Sequence, residues 1–251
     1  MSQPTRSAKN RKLNSAEPAG AYELIMDAIV TQKLAPSQKV SENILTEMFA
    51  ISRTTARNMM EQLTAQQFFV SVSPRITRVA PLTLLDVKQN FAMRKLINPE
   101  LFAMAASQLD VAELAEINEA IFHEGPITSD AMALKLLKAN KQFNVYVARK
   151  VKYPLLMHWV GQLEDTTMRI YWLYVKMHQH LPFTWDHQRS LVDAVKKDLS
   201  DDIRAHVIKI LTSCEERVLG AIFLHEQLYR QDLRLPLGSE IQAGKSPARA
   251  S

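Results

Sequence analysis

The chain has 251 residues, of which 47% are hydrophobic and 23% charged, with a formal net charge of +5 and a single cysteine, Cys214. This balance excludes a disordered chain, and a lone cysteine excludes an intrachain disulfide and fits a reducing compartment. The longest apolar run, LFAMAA at 101–106, is far shorter than the roughly 20 residues of a membrane span, and MSQPTRSAKNRKLN at the N-terminus lacks an apolar signal core, so a cytoplasmic protein without membrane contact is expected.

Residues 1–20 are polar and basic without periodicity and read as a flexible tail. From residue 21 the pattern becomes helical. Tyr22, Ile25, Met26 and Ile29 form one apolar stripe; Ile44, Leu45 and Met48, then Ala56, Met59 and Leu63, form two more. FFVSVSPRITRVAP, residues 68–81, is rich in β-branched and aromatic side chains and turns at SPRIT, which predicts a two-stranded hairpin. Residues 21–81 are therefore expected to form three helices and a hairpin. After Pro81 the helical pattern resumes, with breaks at EGPITSD, at Lys152 to Pro154 and at HLPFTWD, and predicts an all-α antiparallel bundle over residues 82–231. Residues 232–251 mix Pro, Gly, Ser and Ala and read as a second flexible tail.

Charge follows the same division. Residues 1–80 carry 10 Lys/Arg against 6 Asp/Glu, so the basic surplus is mostly N-terminal. Within that part, SENILTEMFAISRTTARNMMEQL holds a helix, a short turn at Phe49 to Ile51 and a second helix beginning at Ser52, a good N-cap. Arg53, Thr54, Thr55 and Arg57 crowd the first turn of that helix. A recognition helix enters the major groove with its N-terminal residues, where Arg makes bidentate contacts to guanine and Thr meets a thymine methyl or a phosphate. The hairpin, with Arg75 and Arg78 expected at its tip, would be the wing of a winged helix-turn-helix. The competing reading is that these residues merely cap and solvate an exposed helix.

The segment from Tyr22 to Pro81, with its LAP loop, LTEMFAISRTTAR helix-turn-helix and wing, resembles the N-terminal domain of the GntR family of bacterial transcription regulators. The resemblance implies base contacts by Arg53 and Arg57, supported by Ser52, Thr54 and Thr55. Three features depart from the family pattern: Gln32 and Ser37 stand where glycine is usual, Asn43 replaces an arginine that often reaches DNA, and PRIT at the wing tip lacks glycine. The second part, through LLDVKQNFAMRKLINPE, NKQFNVYVARKVKYPLL and DHQRSLVDAVKKDL, is similar to the FCD class of GntR effector domains, bundles of six or seven helices that also dimerise.

In metal-binding members of this class an aspartate stands at the position of Asn140, a histidine at that of Asn144, a second at His187, and a third near Thr212 or Ser213. Neutral carboxamides are poor ligands for the divalent ions that carboxylate and imidazole hold, so no metal and no other cofactor is expected. The resemblance places Asn140, Asn144 and His187 around a small organic effector of acid or acyl-coenzyme A type, and Arg94 or Arg169 is suited to hold its carboxylate. His178 and His180 read as loop histidines, and His123, His158, His206 and His225 lack partners at ligand spacing. The alternative is a bundle that only dimerises and has lost ligand sensing. No Gly-rich phosphate loop, G-x-S-x-G or Cys/His pairing around Cys214 suggests an enzyme. The expected function is that of a homodimeric regulator, a repressor of a palindromic double-stranded DNA operator, with no catalytic residues.

Overall fold

The computed structural model describes residues 18–197, 200–224 and 232–235. Its N-terminal lobe runs α1 (Pro18–Val30), β1 (Lys39–Val40), α2 (Glu42–Phe49), α3 (Arg53–Ala65), β2 (Phe69–Ser73) and β3 (Ile76–Val79). The helix α1 begins inside the stretch expected to be a tail, with proline in its first turn, where the missing N–H would have had no helical partner. Residues 1–17 of that expected tail lie outside the described residues.

Ser41 caps α2 by accepting from the Ile44 amide, and α2 ends at Ala50, whose left-handed backbone (φ 51°) turns the chain into α3. Ala56, Met59 and Leu63, spaced three and four apart, bury one face of α3 against α1 and α2. Their apolar core also takes Ile25, Ile29, Leu45, Phe69 and Val79. The expected hairpin, β2 with β3, supplies an edge strand and the central strand of a three-stranded antiparallel sheet in the order β1-β3-β2. The third strand, only Lys39 and Val40, pairs with Arg78 and Thr77 of β3. Sequence reasoning overlooked it because two residues carry no periodicity.

The second lobe consists, among the described residues, of α4 (Leu84–Ala105), α5 (Val111–Glu119), α6 (Asp130–Val151), α7 (Pro154–His178), α8 (Trp185–Lys196) and α9 (Ser200–Leu224), with a single 3-10 turn after α4. Local chemistry sets their ends. Thr83 and Asp86 close a reciprocal capping box at the start of α4, Ser129 caps α6, Lys152 ends α6 in the left-handed region, and Thr184 caps α8. Their packed interior centres on Trp172, Tyr171, Phe91, Phe102 and Phe143, all buried.

The lobes are joined by more than the linker. Val30, at the end of α1, packs into the core of the bundle. The Tyr22 hydroxyl donates to Asp165 at 3.1 Å, Lys141 donates to the same carboxylate at 2.6 Å, and Lys138 reaches back to Asp27 at 2.6 Å. Residues 232–235, assigned from composition to a flexible tail, are docked: Leu233 is fully buried and its amide donates to the Leu82 carbonyl at 2.6 Å. The remainder of that expected tail, 236–251, lies outside the described residues.

Candidate functional site

At the N-terminus of α3, the Ser52 hydroxyl accepts from the Thr55 amide at 3.0 Å and shares a second bond with the Thr55 hydroxyl at 2.8 Å. With Ala56 and Met59 turned inward, Arg53, Thr54 and Arg57 are left facing solvent, and Thr55 is half-buried. Arg57 is held by Glu42 of α2, Nε to Oε1 at 3.1 Å, with two thirds of its side chain still exposed. The wing, β2 and β3, follows α3 in the chain. Arg75 occupies its tip and is exposed, but Arg78 does not stand at the tip as expected. Arg78 is in the middle of β3, opposite Lys39 and Val70, and donates to the Ser37 carbonyl at 2.7 Å. β2 and β3 stay paired up to Ser73 and Ile76, so the tip holds only Pro74 and Arg75, and Arg78 falls within the strand.

Inside the bundle, a line of buried polar groups connects four helices. Arg94 on α4 donates to the Tyr171 hydroxyl at 3.0 Å and lies 3.3 Å from Glu164, both on α7. Asn144 on α6 donates to Glu164 at 3.2 Å and to the Asn140 carbonyl at 3.1 Å. Cys214 on α9 is buried next to Tyr171, and burial pushes its thiol up to about 11. Burial also raises the Glu164 carboxyl above its usual range against the opposing pull of Arg94 and Asn144. Burial works to lower the Arg94 guanidinium, but Glu164 and Tyr171 hold it above its ordinary value.

Arg94, Asn140 and Asn144 share one cavity of about 30 Å³ with Phe143, Tyr171 and Gln188. That is room for a water molecule, not for a metabolite. The other two expected effector residues are not among its lining. From α8 it is Gln188, not His187, that faces the space; the His187 Nδ1 is buried without a partner, and burial, with Lys209 and Arg217 nearby, lowers its pKa. Arg169 points to the junction between lobes, where it donates to the Ala80 carbonyl at 2.8 Å and burial pulls its pKa down to about 10.

The Asn144 amide nitrogen is spent on Glu164 and Asn140, and among the described residues no three His, Cys, Asp or Glu side chains converge. His178 stacks on Tyr174 with ring centroids 4.6 Å apart. The residue that sequence reasoning missed is Glu164. Its signal was its place on α7: Glu164, Thr167 and Tyr171, at spacings of three and seven, share one helix face, and all three are buried.

A model of the FCD domain family matches residues 89–213, which span α4 to α9. The chain carries an FCD domain. Among solved structures, this FCD protein resembles the Escherichia coli protein McbR/YncC at 16% identity and a TM-score of 0.67, covering 81% of this chain and 97% of that one. It also resembles a putative GntR transcriptional regulator from Rhodococcus sp. RHA1 at 15% identity and a TM-score of 0.62, covering 81% and 98%. A third likeness is to Lar of Listeria monocytogenes, described as controlling expression of the agr system, at 14% identity and a TM-score of 0.51, covering 82% and 98%. At these identities the likeness carries the fold. No curated protein matches in sequence.

Proposed function

We propose that the chain works as a homodimeric repressor that binds a two-fold symmetric operator through paired α3 helices and wings. The observation that carries this reading is the Ser52-capped start of α3, which leaves Arg53, Thr54 and Arg57 exposed in a lobe whose wing also exposes Arg75. Arg53 and Arg57 read guanine edges, Thr54 and Thr55 meet backbone or thymine methyls, and Arg75 engages a flanking phosphate or minor groove. Occupying the operator is sufficient for repression, and no catalytic step is involved.

Arg53→Ala is expected to cost about 1–3 kcal/mol in operator affinity and to relax preference at one base position, whereas Arg75→Ala weakens binding on all sequences and lowers the salt slope by about one. Titration of double-stranded DNA selected from a random pool, at several salt concentrations, measures both. Unchanged affinity and preference in Arg53→Ala would sink the assignment of α3.

For the bundle, the small cavity and the internally neutralised Arg94 favour a domain that dimerises and holds the DNA-binding lobe without a metal or a resident metabolite. A second reading, sensing of a small organic acid, is favoured by one observation: the Gln188 Oε1 is buried without a partner at the cavity. In that reading the acid displaces Glu164 from Arg94 and enlarges the space. A panel of small carboxylic acids and acyl-coenzyme A compounds, scored by thermal shift and operator release, separates the two. Protein purified without chelator is expected to hold far less than one zinc, nickel or manganese ion per chain.

A further inference from the structure

Among the described residues of the N-terminal lobe, Gln32, Ser37, Ala50 and Gln67 adopt backbone conformations that ordinarily favour glycine, and the first two stand close together. Gln32 has φ 57° and Ser37 has φ 61°, on either side of the buried Leu34 to Pro36. A side chain at such a position costs stability relative to glycine, so its retention asks for an interaction that offsets the strain. Both side chains make one, and both make it with the same short segment. The Gln32 carboxamide donates to the Leu233 carbonyl at 3.0 Å and accepts from the Leu235 amide at 2.8 Å, as a neighbouring strand would. The Ser37 hydroxyl donates to the Asp232 carboxylate.

The opposite side of the segment holds the bundle and the linker. Leu233 is buried in the core of the bundle, and its amide donates to the Leu82 carbonyl. Asp232 also contributes its charge to the environment of Arg169 on α7, whose guanidinium holds the Ala80 carbonyl of the same linker. Residues 232–235 thus touch the loop after α1, the linker and the bundle together.

We propose that Asp232–Leu235 is a clasp that fixes the DNA-binding lobe in one orientation on the bundle, with Gln32 and Ser37 as its receptor. The clasp reaches the DNA-facing surface through one more bond, because the Ser37 carbonyl accepts from Arg78 of β3. An Arg78 drawn to a phosphate gives up that bond. DNA binding and clasp closure are therefore coupled, and by reciprocity a change in the clasp changes operator affinity. This last step rests on the DNA-binding reading above; the clasp itself does not.

The test uses the full chain carrying Gln32→Gly and Ser37→Gly together, which removes the receptor side chains while glycine keeps the left-handed backbone without strain. Leu233→Asp serves as a second variant that attacks the clasp from the other side. Native-state hydrogen exchange at the Leu233 and Leu235 amides is expected to accelerate roughly tenfold or more in both variants. Spin labels at Glu47→Cys on α2 and Glu116→Cys on α5, both exposed, are expected to show a broader distance distribution. Affinity for DNA selected by the wild-type chain is expected to shift at least threefold. Unchanged exchange, or faster exchange with an unchanged distance distribution, overturns the clasp. Altered exchange and distances with no change in affinity overturns its coupling to DNA, and failure of the wild-type chain to select any DNA strikes the DNA-binding reading instead.

Discussion

Arg94 shows how one buried charge decides what a site can accept. Its guanidinium is almost fully buried and already faces a carboxylate, Glu164, and a hydroxyl, Tyr171. Glu164 depends on that neighbour, since burial alone drives its carboxyl toward the neutral form. Arg94→Met, which keeps the volume and removes the cation, is expected to cost about 3–5 kcal/mol at neutral pH because it strands a buried carboxylate. Adding Glu164→Gln should restore most of the loss. The pH dependence follows from the raised carboxyl: its favourable contribution is complete below the ordinary value of about 4.3 and is lost as pH rises through the folded value. The penalty in Arg94→Met is therefore largest at alkaline pH and shrinks toward pH 4, which urea denaturation at a series of pH values would measure.

On the scale of single elements, α3 joins local and non-local control. Its start is set by Ser52 and its buried face by Ala56, Met59 and Leu63, all visible in sequence because caps and helical spacing are short-range. The ion pair between Arg57 and Glu42 was not visible, since it crosses from α3 to α2. Nor was Arg94 with Glu164, 70 positions apart, or β1, whose two residues are strand only because β3 lies alongside. The docking of 232–235 depends on Gln32, Ser37 and Leu82, about two hundred or 150 residues earlier, and composition alone reads it as tail. What sequence revealed was the helical character of the chain, the start of α3 and three of the breaks in the bundle; what it hid was partners brought together by packing. The exposed Arg57–Glu42 pair is worth roughly 0–1 kcal/mol, so Glu42→Gln should leave stability nearly unchanged. It removes a carboxylate from the DNA face and frees Arg57, and operator affinity is expected to rise severalfold at low salt, with the gain fading as salt is raised. Fluorescence anisotropy at two salt concentrations, beside a melting curve, checks both halves.

For the whole molecule, a two-fold operator requires two α3 helices held about one DNA turn, roughly 34 Å, apart, so a dimer contact has to span the bundle. The outer face of α4 is suited to it. Leu85, Met93, Leu96 and Met104 fall within one side of that 22-residue helix and are 62%, 44%, 71% and 42% exposed. Such a stripe on a regulator's surface is expected to be covered by a second copy. Close by, a groove of about 790 Å³ between the lobes is lined by Phe68, Met93, Trp159 and Leu163, which extends the apolar surface toward the DNA-binding lobe. Leu85→Glu with Leu96→Glu changes only exposed side chains, so each chain should keep its fold, with stability altered by no more than about 0.5 kcal/mol per site. Sedimentation equilibrium is expected to shift from dimer to monomer, and binding to a two-half-site operator to fall toward that of a single half-site. A variant that stays dimeric places the contact elsewhere on the bundle, while a monomer that still binds the full operator undiminished removes the need for paired recognition helices.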